Sequence, residues 1–218
     1  MIDFSYRRTV ETIITMLREC RYIAIDEASI GDELGDELLS IIEQEFGIQL
    51  GDSLKSLYNE MGNVDIRWHV NLDQYSDLQL LHEEDSYISG SIQFLDPYTM
   101  FSGRDGTFWE NTLWFDDIEG EINDRLRNFK PIDFQNSENI IGVFLENGIL
   151  VDSLTLYSSS NGLTNLPFGI DEYFSLLEET LGYVYWPIAL MQPYSEEREK
   201  LVHYIGQLFP EKTLNHFR

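Results

Sequence analysis

Cysteine is almost absent from this sequence. Cys20 is the single cysteine among 218 residues, so no disulfide can form within the chain. Chains without disulfides are typical of reducing compartments, and we expect a cytoplasmic protein. Cys20 ends an amphipathic pattern and has no histidine nearby in sequence to serve as its base, which argues against a catalytic thiol.

Long apolar runs are also missing. No stretch approaches the roughly 18 consecutive apolar residues that a membrane-spanning helix needs. Residues 1–8 lead directly into a helical pattern and lack the apolar core and small-residue cleavage site of a secretory signal. We therefore expect no membrane association and no export.

Basic residues are few. Fourteen lysines and arginines face 39 aspartates and glutamates, which gives a net charge of −25. The chain is nevertheless 43% hydrophobic, too apolar for a disordered acidic tail, so the charge must lie on the surface of a folded body. Such a surface repels nucleic acids and anionic membranes and attracts cations or basic proteins. A basic protein partner is the expectation.

Apolar spacing predicts five helices. The second has Asp32 as its N-cap and ends at Gly47, and its apolar face consists of Leu34, Leu38, Ile41, Ile42 and Phe46. The others carry their periodic residues over 10–17, 54–61, 170–181 and 195–208.

Alternating apolar residues predict strands over 64–70 and 88–94. Asn147-Gly148 separates two further apolar runs and is typical of a hairpin turn, in which both turn residues need positive φ. These elements predict an α+β fold whose central, mainly antiparallel sheet is flanked by N-terminal and C-terminal helices. We expect a single domain over 1–218, with 191–218 as an extra C-terminal helix.

Motifs for catalysis or metal binding are not found. The histidines His69, His82, His203 and His216 are scattered, and neither a phosphate-binding glycine loop nor a GxSxG turn occurs. Residues 26–37 approach a calcium loop, but Ala28 and Ile30 occupy positions that require oxygen ligands. The aromatic residues over 98–115 stand among acids, which favours packing over base stacking. We expect no enzymatic activity, no metal and no cofactor.

Four strings, taken in order, resemble the SMI1/KNR4 family, also called the SUKH superfamily. They lie at 46–63, at Gly90-Ser91-Ile92, at 129–133 and at 166–187, and together they cover roughly residues 33–190. All are packing and turn residues. The sequence departs from the family at Leu50-Gly51-Asp52, where members often carry proline, and the helix within 191–218 has no counterpart.

This resemblance implies an α+β fold without enzymatic activity. Bacterial members are immunity proteins of polymorphic and contact-dependent toxin systems, each of which binds and neutralises a cognate toxin domain, often a nuclease. Fungal members act as regulatory binding scaffolds. The resemblance therefore implies an immunity protein with a basic toxin domain as partner, and a non-enzymatic regulatory or interaction scaffold is the alternative.

Acids on loops near aromatic anchors are the candidate toxin contacts, because interfaces bury aromatic residues and keep charge toward the rim. A solvated acidic face is the competing interpretation. An adjacent gene for a secreted toxin with a basic terminal domain would favour the immunity protein over the scaffold. The first set of candidates is Trp109, Trp114, Asp116, Asp117, Glu119 and Glu121, and the second is Glu83, Glu84 and Asp85.

Overall fold

The structure is a computed structural model. For residues 121–124 it describes the helical backbone and not the side chains. The residues that it describes are 4–72, 78–82, 85, 87–103, 121–135, 139–158 and 162–217.

The described residues form eight helices and eight strands, with most of the strands in the middle of the chain and three helices at its C-terminal end. The helices are α1 (Tyr6–Glu19), α2 (Gly35–Phe46), α3 (Asp52–Glu60), α4 (Pro97–Ser102), α5 (Glu121–Asn128), α6 (Ile170–Thr180), α7 (Trp186–Met191) and α8 (Glu196–Leu208), with a 3₁₀ turn at Asn215–Phe217. The strands are β1 (Ile23–Ile30), β2 (Val64–Val70), β3 (Ser89–Phe94), β4 (Phe129–Phe134), β5 (Asn139–Glu146), β6 (Ile149–Leu150), β7 (Thr155–Ser158) and β8 (Gly162–Asn165).

The described strands form an eight-stranded antiparallel sheet in the order β1-β2-β3-β4-β5-β7-β8, with β6 paired to β5. Helices flank this sheet, so the predicted α+β class is confirmed. None of the helices within the described ranges is long and apolar enough to cross a membrane.

Contacts divide the chain into two compact units. The first comprises residues 1–29, 65–92 and 172–218, and the second comprises 30–64 and 93–171. Each unit is assembled from distant parts of the sequence. The single domain predicted over 1–218, with 191–218 as an extra C-terminal helix, stays a prediction, and α8 lies within that last range.

The first unit is organised around Trp68 on β2. The Trp68 indole is fully buried and donates a hydrogen bond from Nε1 to the carbonyl of Leu181, at 2.8 Å. Gly90 lies against this ring so closely that a Cβ atom there would come within 2.4 Å of it. Packing against Trp68 therefore explains why a glycine occupies position 90, near the start of β3.

The second unit contains the predicted hairpin. Asn147 and Gly148 both have positive φ, 51° and 81°, and Glu146 pairs with Ile149 across the turn. β5 also pairs with β4 and β7, so it lies inside the sheet. The turn prediction is confirmed, although β6 ends after two residues and pairing with β5 resumes only at Thr155.

Two sequence predictions need correction. α2 begins at Gly35 rather than after an Asp32 cap, and Leu34 makes no side-chain capping bond. Leu38 and Ile41 were expected on the buried face of α2 but are exposed, while Leu39 and Ile42 are buried. Four aliphatic residues at 38, 39, 41 and 42 fit more than one helix face, and tertiary packing selects one of them.

The sequence patterns did not predict strands β1 and β4. β1 overlaps the first five residues of the stretch compared with a calcium loop, and its burial pattern lacks strict alternation. β4 contains Pro131 and has a register shift between Pro131 and Asp133. Proline inside a sheet is found at edges and bulges, and here the irregularity accommodates it in a central strand.

Replacing Gly90 by alanine tests the Trp68 packing. We expect Gly90→Ala to destabilise the chain by about 2 kcal/mol, because overpacking a full core forces the ring from its place. Gly206→Ala is the matched control, since its Cβ would meet nothing within 4 Å and lies on an exposed helical position. It should stabilise by roughly 0.5–1 kcal/mol. Urea unfolding followed by circular dichroism measures both, and equal stabilities would contradict the packing role.

Candidate binding cleft

Most of the predicted toxin-contact residues lie outside the described residues. This holds for Trp109, Trp114, Asp116, Asp117, Glu119, Glu83 and Glu84. Glu121 is the first residue of α5, for which the structure gives the backbone alone. Their role in binding stays a prediction.

Asp85, the remaining candidate, is buried rather than presented at the surface. Its carboxylate is 8% exposed and lies 2.7 Å from the Lys200 ammonium on α8. The Tyr204 hydroxyl donates to the same carboxylate at 2.5 Å, and the His82 backbone N–H donates to it at 3.3 Å. Asp85 therefore joins its loop to α8 and is not a free acid for a partner.

The surroundings of Asp85 set its ionisation. Burial opposes the charged form, but the hydrogen bonds from Lys200 and Tyr204 and the lysine charge outweigh it, so the Asp85 pKa is lowered. The hydrogen bond to Asp85 in turn raises the Lys200 pKa, with Glu196 as its second partner at 2.7 Å. Burial, followed by the Asp85 hydrogen bond, raises the pKa of Tyr204 to about 12. The group is a carboxylate and an ammonium throughout the neutral range.

The adjoining loop is held to α8 by a second set of polar contacts. Gln207 donates to the Gln79 carbonyl at 2.8 Å and accepts from the Gln79 backbone N–H at 2.9 Å. His203 Nε2 lies 2.9 Å from the same carbonyl. This loop, Leu78–His82 with Asp85, is thus a structural part of the first unit.

Asp85→Asn tests this ion pair through its pH dependence. At pH 7 we expect a loss of about 3 kcal/mol, because the variant leaves the Lys200 ammonium without its buried partner. The folded Asp85 pKa lies below its ordinary value of 3.8, so the pair stabilises fully above that pH. The difference between variant and parent should therefore shrink as the pH falls below about 4.

The control for Asp85→Asn is Asp65→Asn. Asp65 forms an exposed pair with Arg67 at 3.0 Å, and such pairs contribute at most about 1 kcal/mol. Denaturant unfolding between pH 2.5 and 7 measures both variants. A difference for Asp85→Asn that did not vary with pH would contradict the assignment.

The second unit contains an open cleft of about 560 Å³. It forms where the α2–α3 connection meets the β5–β6 hairpin, joined by hydrogen bonds from Gln49 N–H to the Gly148 carbonyl and from Leu150 N–H to the Gln49 carbonyl. Acidic and apolar residues share its wall. The lining consists of Glu43, Gln49, Leu50, Gly51, Asp52, Lys55, Ile149, Leu150, Val151 and Asp152.

Glu43 and Lys55 form a fixed edge of the cleft. Glu43 Oε1 accepts from the Leu50 backbone N–H at 2.8 Å and lies 3.0 Å from the Lys55 ammonium. Burial opposes ionisation of Glu43, but these two contacts outweigh it and lower its pKa. Lys55, the one cation in the lining, is therefore already neutralised by Glu43.

Asp152 is the unusual residue of the cleft. Its Oδ1 atom is buried and has no hydrogen-bond donor. It lies against Gly51, where a Cβ atom would come within 2.2 Å of it, so only glycine permits this approach. Buried acceptors are normally satisfied, and leaving one without a donor costs about 1–3 kcal/mol.

The electrostatics of the cleft follow from these contacts. Glu43 and Lys55 cancel, which leaves the Asp52 and Asp152 carboxylates beside the apolar side chains of Leu50, Ile149 and Val151. A lysine or arginine side chain has the matching chemistry, with an apolar stem and a cationic head that donates hydrogen bonds.

Sequence reasoning did not find this cleft. Its lining comes from 43–55 and 149–152, which are almost a hundred residues apart and meet through an isolated parallel bridge between Gln49 and Ile149. The one sequence feature that coincides with the cleft is Leu50-Gly51-Asp52, where the sequence departs from the SMI1/KNR4 pattern.

Metal-ligand clusters of three or more histidine, cysteine or acidic side chains do not occur in the described part of the chain. The histidines have other contacts there. His69 Nδ1 lies 2.9 Å from Asp26, and His216 Nδ1 lies 2.6 Å from Glu179.

The chain matches no family model, no curated protein and no solved structure. The SMI1/KNR4 resemblance consequently stays a prediction, and the functional argument depends on the structure and on charge.

Proposed function

We propose that this chain is an immunity protein, which binds and neutralises a basic toxin domain such as a nuclease. A nuclease must hold a phosphate backbone, so its active surface is cationic. The chain carries a net charge of −25 and would attract such a surface over long distances. Electrostatic steering of this kind raises association rates by roughly 10–10³-fold.

The observation that carries this proposal is the Asp152 carboxylate oxygen without a donor. Exposed carboxylates give little binding energy, because water and salt screen them. The Oδ1 atom of Asp152 differs, since it is already out of contact with water and a donor from the partner that reached it would add a hydrogen bond with little further desolvation of that oxygen. The cleft thus supports specific capture of a cationic side chain as well as general attraction.

A cationic side chain from the partner would make two kinds of contact. Its head would reach Asp152 and Asp52, and its stem would lie against Leu50 and Ile149. Charge-assisted hydrogen bonds are roughly twice as strong as neutral ones, and truncating one partner of a buried charge pair mainly accelerates dissociation. Inhibition then combines fast arrival with slow release.

Co-expression tests the proposed function. The chain is produced together with a small basic toxin domain encoded beside it, and survival and complex formation are scored. We expect survival with the parent chain, and a toxin that kills regardless of the chain would refute the proposal.

Asp152→Asn tests the cleft within that complex. Dissociation of the toxin domain should become at least tenfold faster, because the amide removes the charge while keeping the size of the side chain. Glu33→Gln is the control, since it changes the net charge equally at an exposed position outside the cleft. Surface plasmon resonance at two salt concentrations measures both. Equal dissociation rates for the two variants would remove the cleft from the interface.

A further inference from the structure

Helix α2 has exposed apolar side chains in addition to those that it buries in the core. Leu39 and Ile42 are 2% and 6% exposed and anchor the helix in the second unit. Leu38 and Ile41 are 42% and 52% exposed on another side of the same helix. Residues three apart on a helix are surface neighbours, so these two side chains form one continuous strip.

The charge around this Leu38–Ile41 strip has one sign. α2 contains no basic residue and four acids, Asp36, Glu37, Glu43 and Glu45. Glu37 and Glu45 lie four residues before and after Ile41, so they border the strip along the helix. No ion pair neutralises either of them within the described part of the chain. The strip is an apolar contact area with a negative edge.

We propose that the Leu38–Ile41 strip docks an amphipathic basic segment of a protein partner, whose apolar side chains cover Leu38 and Ile41 and whose lysines or arginines face Glu37 and Glu45. The cationic character of this partner follows from the proposed function. Apolar anchors within a charged rim are the usual anatomy of a protein interface, and laying an amphipathic helix on such a surface is a recurrent mode of recognition.

Charge complementarity selects this occupant over the others. A second copy of the chain would place the acids of α2 against those of its twin, and opposed like charges cost binding energy. An anionic lipid surface is repelled for the same reason. A basic segment alone gains from both the apolar strip and its edge.

The strip and the cleft are separate surfaces of the second unit. Glu43, at the cleft, is two residues beyond Ile41, and helix residues at that spacing do not face each other. Substitutions on the strip therefore leave the cleft contacts of Glu43 with Leu50 and Lys55 in place. Each surface can be tested without disturbing the other.

A synthetic peptide tests the strip directly. The probe is an 18-residue helix with leucines on one face and lysines on the other, and its binding to the full chain is followed by fluorescence anisotropy. We expect Leu38→Ser with Ile41→Ser to weaken binding at least tenfold. Glu37→Gln with Glu45→Gln should weaken binding several-fold and reduce its salt dependence, because two carboxylates facing the lysines are lost.

The controls are on α8 in the first unit. Val202→Ser removes an exposed aliphatic residue, and Glu197→Gln with Glu199→Gln removes the same charge as the α2 pair. Both should bind the peptide like the parent. Thermal unfolding checks that every variant is folded, and the Glu37 and Glu45 substitutions leave the apolar residues of α2 intact.

Three results with the peptide would overturn the proposal that the strip docks a basic segment. They are unchanged affinity in the α2 variants, an equal loss in the α8 controls, and equal binding of a peptide whose lysines are replaced by glutamates. Self-association of the parent chain that Leu38→Ser with Ile41→Ser abolishes would identify a second copy as the occupant and would also overturn it.

Failure of the strip and failure of the proposed function give different results. If the parent protects cells from a toxin domain, and the strip variant protects equally and binds the peptide equally, the strip inference fails alone. If the strip binds the peptide selectively but the adjacent toxin domain is never neutralised, the immunity proposal fails and the strip stands.

Discussion

A shortage of cations governs this molecule. Fourteen lysines and arginines cannot neutralise 39 aspartates and glutamates, and three of the four lysines make contacts that hold elements of the fold together. Lys200 joins a buried loop carboxylate to α8, Lys55 holds the α2–α3 connection through Glu43, and Lys212 donates to the carbonyl of Glu178. These three lysines are engaged in contacts within the units, and the excess of acidic residues that gives the net charge of −25 has no lysine or arginine in the chain to balance it.

Local patterns explain which parts of the fold could be predicted from sequence. The turn at Asn147-Gly148 requires positive φ at two adjacent residues. Asparagine and glycine tolerate that conformation, so the two residues are enough to predict the turn. The Ser195 cap of α8 is equally local, since its hydroxyl accepts from the Arg198 N–H three residues later. The buried face of α2 was not predictable in this way, because consecutive aliphatic residues are compatible with either face. Only the neighbours of α2 decide which residues remain outside.

The candidate site illustrates the same limit. The excess of acidic residues suggests binding to a basic partner as a hypothesis, but with 39 carboxylates no single position stands out in sequence. Asp85 belongs to an acidic run, but its carboxylate is bound by Lys200 and Tyr204 because tertiary packing brings α8 next to it. Asp152 has no acidic neighbour in sequence and is the carboxylate whose oxygen is left without a donor. Whether an acidic residue has hydrogen-bond donors within the fold, rather than how many acids surround it in sequence, therefore distinguishes Asp85 from Asp152.

Net charge alone would give the proposed inhibitor low specificity. A purely electrostatic binder attracts every cationic surface, and its affinity falls steeply as salt screens the field. Related complexes differ mainly in their dissociation rates, which depend on desolvated and apolar contacts. The cleft around Asp152 and the Leu38–Ile41 strip supply contacts of these two kinds on the same unit. In the proposed complex, the negative field sets how fast the partner arrives, and these two surfaces set how slowly it dissociates.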